Sequence, residues 1–319
     1  MKKKQAQKPK KYAQAQPRRK RLFTLSIFFL AVLACCGLFG YMHVQSQLVH
    51  LKQTTLYLED LPPAMDGTTM LFVSDINIKS KAEARQTMRL FDKLEALHPD
   101  LLLLGGDYSA NTLLETLNSE ENASNSAAEA YVLEFIRSFS GFNAPMGKFA
   151  VRGEADVDPA LNAAFMQGGV QLLTDSCATV EKNGAQLVIA GLNDSSAGLT
   201  PYSSLGGYFS GDECVIAMTH NPAGYIGIRV NEARGGGTWA DVVLAGHTLG
   251  GHIRVFGRNI RTMTEEESRC IAGWYYTDGL PMLVSQGLGC RDADLRFGSQ
   301  SEVWLITLRR PKLPTLPDF

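Results

Sequence analysis

Five side chains able to ligate a metal or carry a proton sit in one recurring local setting: Asp75, Asp107, Glu154, His220 and His247. Each follows a short apolar run that reads as a buried strand, and each stands just past the break that ends it. The runs are TMLFV before Ser74-Asp75, DLLLL before Gly105-Gly106-Asp107, KFAVR before Gly153-Glu154, CVIAM before Thr219-His220 and DVVLA before Gly246-His247. In α/β proteins the loops at the carboxyl ends of strands hold metals and substrates. Carboxylates mixed with imidazoles suit Zn, Mn or Fe better than Mg or Ca. Taken singly, each Asp also reads as a cap or turn residue, and each His as a hydrogen-bonded structural group. Five in one setting point instead to a divalent transition-metal centre. His247 is the most constrained, because Gly246 breaks its strand and Gly250 and Gly251 allow a sharp return before the next strand, Ile253 to Phe256.

The elements that must position these residues follow from hydrophobic periodicity. After the strand opening at Thr69, Lys81 to Leu97 reads as an amphipathic helix, with Ala84, Met88, Phe91, Leu94 and Leu97 on one face. Asp100 to Leu104 is a second buried strand. This β-α-β order implies a parallel pair joined by a right-handed crossover. Asp75 and Asp107 are therefore expected at the ends of neighbouring parallel strands. Asn111 to Ser126 reads as a loop, Ala127 to Phe139 as a helix and Lys148 to Arg152 as a third strand. Pro159 to Gln167 forms a helix with a proline in its first turn. From Val170, the closely spaced runs VQLLT, ATVEK and AQLVIAGL suggest antiparallel pairing. Glu213 to Met218, Met282 to Ser285 and Glu302 to Leu308 supply further strands.

With 319 residues, 45% of them hydrophobic, the chain can bury a full-sized core. The net charge of -1 hides an asymmetry: residues 1–21 carry ten Lys or Arg and no acid. The remainder holds 21 basic residues against all 32 acids, a formal balance of -11. With basic charge confined to the tail, no nucleic-acid partner is expected. Leu22 to Tyr41 is twenty residues without a charge, and a helix of that length covers about 30 Å, the hydrocarbon thickness. The basic block on its amino side predicts a cytoplasmic N-terminus and an extracytoplasmic C-terminal part. A cleaved signal peptide has an apolar region of only ~7–15 residues, and lipid attachment at Cys35 or Cys36 is a further reading. The expected organisation is a basic cytoplasmic tail over 1–21, a transmembrane helix over 22–44, a linker and edge strand over 45–68, a catalytic-type domain over 69–308 and a disordered tail over 309–319. Cys177, Cys214, Cys270 and Cys290 lack C-x-x-C spacing, which argues against structural zinc. They read as small buried hydrophobes, with any disulfide pairing open.

These strand-end residues, together with LAGHTLGGHIRV and QGLGCRDADLRFGS, resemble the calcineurin-like metallophosphoesterases, in particular their membrane-anchored bacterial members, over Thr69 to Leu308. The resemblance implies a four-layer α/β/β/α sandwich of two mixed sheets and a two-metal phosphoesterase site. The family pattern is D-x-H, G-D, G-N-H, a lone His and G-H-x-H. Here it stands as Asp75-Ile76-Asn77, Gly106-Asp107, Gly153-Glu154-Ala155, His220 and Gly246-His247-Thr248-Leu249. Three usual histidines are thus Asn77, Ala155 and Leu249. By resemblance, one metal position would use Asp107, Glu154, His220 and His247, all able to coordinate. The other would use Asp75, residue 77, Asp107 and residue 249, where an amide and a leucine replace imidazoles. His252 stands either as an inward-reaching substitute or as a hairpin histidine.

A two-metal site clamps phosphoryl oxygens and activates water, so one weakened position lowers both contributions. Two readings follow. One is a membrane-anchored metal-dependent phosphoesterase with one firmly held Mn, Fe or Zn, acting outside the cytoplasmic membrane on a phosphorylated small molecule or a lipid-linked phosphoester. The other is an inactive pseudoenzyme of the same fold, serving as a binding or scaffold module.

Overall fold

A computed structural model describes residues 16–110, 126–193, 205–260, 263–277 and 279–311. The basic tail up to residue 15, the loop over 111–125 and the tail over 312–319 lie outside the described residues. The chain forms two compact units, one up to Met42 and one from His43. Helix α1 (Gln16–Gln47) supplies the described part of the first and ends five residues past it. Its stretch Arg21–Gln47 is 27 residues long and apolar enough to cross a membrane. The side chains of Leu22, Phe23, Phe28 and Phe29 are exposed along it.

The second unit opens with β1 (Val49–Tyr57), β2 (Thr69–Val73), α2 (Lys81–Glu95), β3 (Leu101–Leu104), α3 (Ser126–Ser138), β4 (Gly147–Ala150), α4 (Ala160–Gly168) and β5 (Gln171–Leu172). It continues with β6 (Ser176–Lys182), β7 (Ala185–Gly191), β8 (Val215–Met218), α5 (Gly224–Val230), β9 (Val242–Ala245), β10 (Arg254–Val255), β11 (Arg258–Asn259), α6 (Glu265–Arg269), β12 (Gly273–Thr277), β13 (Leu280–Val284) and β14 (Ser301–Arg309). Two six-stranded sheets result, in the orders β1-β14-β2-β3-β4-β5 and β12-β13-β9-β8-β7-β6. Both are mixed. The first is antiparallel only where β14 meets β2, and the second only at its outer pairs β12/β13 and β6/β7.

Side-chain alternation sorts these strands into layers. Met70, Phe72, Leu101 and Leu103 face the sheet-to-sheet core, together with Leu187, Ile216 and Leu244 of the other sheet. Leu71, Val73, Leu102 and Leu104 point the other way, against Phe91 of α2 and Phe135 of α3. Those rings meet edge to face with centroids 5.4 Å apart, an arrangement that adds ~0.5–1.5 kcal/mol beyond burial. On the far side Val215, Ala217 and Val243 pack against Tyr225 and Ile228 of α5 and against Trp239. Three apolar seams between helices, sheet, sheet and helix make the fold a four-layer α/β/β/α sandwich.

The parallel registers set the site. Val73 lies opposite Leu104, and Leu104 opposite Ala150. In the second sheet Met218 lies opposite Leu244. All these strands end on one edge, so the residues just past them converge. Some local expectations need correction. β5 does not pair with β6 but joins the first sheet parallel to β4, Phe149 opposite Gln171. Pro159 is the N-cap of α4 and not within its first turn. Helices α5 and α6 carry no strong sequence periodicity. The cysteines are free thiols; Cys214 and Cys290 are buried, but Cys177 is exposed and Cys270 only half-buried.

Candidate metal centre

The loops at this edge are held in unusual backbone conformations. Asp75, Asn77, Asp107 and His247 take φ of +51°, +52°, +55° and +70°. Non-glycine residues in that region cost ~1–3 kcal/mol each and persist where surrounding structure holds them. Backbone bonds do so here: Asp75 N donates to Gly106 O at 2.9 Å, and Asn77 N to Asp107 O at 2.9 Å. His247 N donates to both oxygens of the Asp75 carboxylate, at 3.0 and 3.1 Å. Gly246 is required beside this contact, since a Cβ there would lie 2.4 Å from Asp75 Oδ2. Gly153 is equally tight, its Cβ position falling 2.2 Å from Asp107 Oδ1.

The ligating atoms gather in two overlapping groups that share His220. Those of Glu154, His220 and His247 lie within 4.8 Å of one another, and so do those of Asp75, Asp107 and His220. The structure thus brings all five sequence-derived residues together. His220 Nδ1 donates to Gly105 O at 2.7 Å, which leaves Nε2 turned toward carboxylates. Glu154 Oε2 is 3.1 Å from that nitrogen and Asp107 Oδ2 is 3.4 Å from it. Neither contact is an aligned hydrogen bond, so Nε2 and Oδ2 are buried without a hydrogen-bond partner. Such an arrangement is satisfied by a proton on Nε2 or by a cation among these atoms. His247 Nδ1 lies 2.9 Å from Glu154 Oε2, and His247 Nε2 is 2.8 Å from Glu267 Oε1. A carboxylate behind an imidazole fixes its tautomer and raises its basicity, as is usual for a metal-bound histidine. Two imidazoles and two carboxylates form a complete donor set for a divalent transition metal.

The three positions at which the resemblance implies histidines behave differently. Asn77 is buried and turns Nδ2 back onto Asp75 O at 3.2 Å. Leu249 is fully buried. Ala155 contributes its backbone N–H to Asp107 Oδ1, at 3.1 Å. His252 caps the turn after Leu249 with φ +54° and belongs to neither ligand group among the described residues.

Three partners in the centre are not apparent from the sequence. Asp156 accepts from the backbone N–H groups of Asp107, Tyr108 and Gly153 at 2.8, 2.9 and 2.8 Å. Glu267 backs His247. Arg291 places Nη1 2.6 Å from Glu154 Oε1. Only Glu267 has a local signature, the Thr264-x-x-Glu267 capping box. There Thr264 N donates to Glu267 Oε2 at 2.8 Å and Glu267 N to Thr264 Oγ1 at 3.2 Å.

The electrostatics follow from this geometry. Burial pushes the Asp75 carboxyl up, against the pull of His220. Burial also opposes ionisation of Asp107, but His220 outweighs it and holds that group below the usual carboxylate range. Burial opposes ionisation of Glu154 as well, but the imidazoles of His220 and His247 beside it outweigh that and hold it far below the range. Burial and then the Asp107 charge push Asp156 up to about 7. His247 is raised to about 9, because Glu154 and Glu267 overcome the burial that would lower it. A folded-state value above the unfolded ~6.5 means that this stabilisation is complete below about pH 6.5 and is lost as pH rises through about 9. The metal-free protein is therefore expected to lose thermal stability between those limits, while its divalent-metal affinity rises over the same interval as the imidazole proton leaves. A melting profile that is flat across it, in the presence of a chelator, would contradict this.

Two face-to-face mixed sheets that gather carboxylates and imidazoles at one edge define a metallohydrolase-type scaffold. The chain belongs to the calcineurin-like phosphoesterase family, whose model matches residues 68–251. It is 26% identical over 296 residues to the uncharacterized protein YpbG of Bacillus subtilis (strain 168), covering 90% of this chain and 99% of that one. To an uncharacterized metallophosphoesterase of Aquifex aeolicus (strain VF5) it is 25% identical over 287 residues, covering 88% and 98%. Among solved structures, the phosphopantetheinyl hydrolase PptH of Mycobacterium tuberculosis aligns with 80% of this chain and 99% of its own, at a TM-score of 0.39 and 10% identity.

Proposed function

We propose that this protein is a membrane-anchored, metal-dependent phosphoesterase that hydrolyses a phosphomonoester or phosphodiester outside the cytoplasmic membrane, with one firmly held metal ion. The ligands would be Asp107, Glu154, His220 and His247, with Asp75 beside them. The observation that carries this reading is the convergence of ligand atoms of Glu154, His220 and His247 within 4.8 Å of one another, with one imidazole oriented by Gly105 O and the other by Glu267. A divalent cation held there supplies Lewis-acid polarisation of a phosphoryl oxygen. The chain's own residues do the positioning. Asp156 and Ala155 N fix the Asp107 loop and carboxylate, and the His247 N–H pair of contacts fixes Asp75. The Mn, Fe or Zn assignment rests on the mixed N/O donor set. A phosphorylated small molecule or a lipid-linked phosphoester is the substrate class this reading takes.

The anchor and orientation rest on the apolar helix at Arg21–Gln47 and the ten basic residues preceding it. A reporter fused after Phe319 is expected to be active only outside the cytoplasm; activity confined to the cytoplasm would refute that orientation. A second reading, a pseudoenzyme serving as a scaffold, is favoured by Asn77, Ala155 and Leu249. Metal analysis of the full chain in mild detergent, alongside hydrolysis of a chromogenic phosphodiester, separates the two. One bound metal with turnover supports the enzyme. Bound metal without turnover on mono- and diester probes supports the pseudoenzyme.

A further inference from the structure

The buried acids at this centre outnumber the cations that one metal ion brings. Asp75, Asp107 and Glu154 face one another across His220, and Glu267 is taken by His247. Asn77 and Leu249 leave the second metal position short of donors. Lys79 is not available to fill the gap, since its Nζ is held by Asp294 at 2.7 Å and by Cys290 O at 2.8 Å. Arg291 is different. Its guanidinium reaches Glu154 Oε1 at 2.6 Å, the oxygen that the imidazoles do not use. Its charge also acts on Asp107, helping to hold that carboxyl down. Among the described residues it makes no other ion pair. The side chain is 26% exposed, although Nη1 itself is buried.

The placement is built into the fold. The backbone just ahead of Arg291 is tied on three sides. Gly289 N donates to Asp75 O at 2.7 Å, Arg296 Nη2 donates to Gly289 O at 2.5 Å, and Lys79 holds Cys290 O. Gly289 could not be larger, because a Cβ there would lie 2.1 Å from Ile76 O. Arg291 lies outside the span 68–251 matched by the family model.

We propose that Arg291 is the resident second cation of this centre, neutralising Glu154 and Asp107 beside a single bound metal ion and offering its remaining N–H groups to the phosphoryl oxygens of a phosphoester. A guanidinium suits this task because it stays charged and presents a planar fork that matches phosphate oxygens two at a time. It also holds Glu154 so that only Oε2 faces the imidazoles. The inference rests on the one-metal reading above.

The test uses the full chain in detergent, with Mn2+ and inorganic phosphate as probes. The wild type is expected to bind one Mn2+ and, once loaded, to bind phosphate. Arg291→Gln is expected to weaken phosphate binding by about tenfold to a hundredfold while still holding one Mn2+, because the second position stays short of donors. Arg291→Lys keeps the charge without the fork; it should hold one Mn2+ and still lose phosphate affinity by about tenfold. Phosphate affinities within twofold of wild type in both folded variants would overturn the proposal. If Arg291→Gln fails to fold, the lysine variant decides by the same criterion. Two Mn2+ ions on the wild type would also overturn it while leaving a phosphoesterase intact. No Mn2+ on the wild type would instead strike the metal-centre reading itself.

Discussion

Replacing His247 with alanine is expected to lower divalent-metal affinity by about a hundredfold or more, whereas Asn77→Ala should leave it within about twofold. Removal of even an outer partner of a metal ligand typically costs ~10–100-fold, and His247 would be a ligand itself. The structure makes it the junction of the centre: its ring meets Glu154 and Glu267 at 2.9 and 2.8 Å, and its backbone N–H holds Asp75. Asn77 spends its Nδ2 on the carbonyl of Asp75, leaving only a neutral amide oxygen, a weaker donor than a carboxylate or an imidazole. Calorimetric titration with Mn2+ and Zn2+ reads both variants. Metal binding that survives His247→Ala and disappears with Asn77→Ala would reverse the two positions. Glu267→Gln should fall between these extremes, with a loss of about tenfold, because it removes only the charge behind the imidazole.

Arg296→Met is expected to destabilise the fold by about 3 kcal/mol, read as a lower urea midpoint. Arg296 is fully buried and has no carboxylate partner among the described residues; its guanidinium donates instead to Gln300 O at 2.9 Å, Gly287 O at 3.1 Å and Gly289 O at 2.5 Å. Gly287 O also accepts from Glu302 N at 3.0 Å, so methionine would leave chiefly Gly289 O and Gln300 O without a donor. Each orphaned buried group costs ~1–3 kcal/mol. Against this stands the release of a buried charge, a term that makes some ionic replacements neutral or stabilising. The unmet carbonyls win here because methionine fills the space but donates nothing. The same loop carries Gly289 N to Asp75 O and leads into Arg291, so metal affinity should weaken in parallel. An unchanged or higher midpoint would mean that the desolvation of Arg296 offsets its bonds.

Much of the fold was legible along the chain. Strands β2, β3, β4, β8 and β9 are apolar runs ended by small or polar residues, and that is a local property. Helix α2 announces itself by its spacing, and Ser80 caps it by accepting from Glu83 N at 3.3 Å. The five strand-end residues were legible for the same reason, since a buried parallel strand delivers whatever follows it to one edge of the sheet. The pairing of β5 was not legible, because two residues of strand carry no period. Nor were α5 and α6, which are seven and five residues long and too short to show one.

What the sequence determined by itself was the element types, the apolar N-terminal segment with its basic flank, and the identity of the strand-end acids and imidazoles. Each depends on residues close together in the chain. Only the tertiary structure decided which groups meet. His247 finds Glu154 across 93 positions of sequence and Asp75 across 172. Glu267 and Arg291 enter the centre from a five-residue helix and a loop. No local signal places them there, because a contact between distant residues is set by strand register and by the crossing of the two sheets. The same holds for Arg296, a charged residue that reads as surface until carbonyls of its own loop and that of Leu249 close around it.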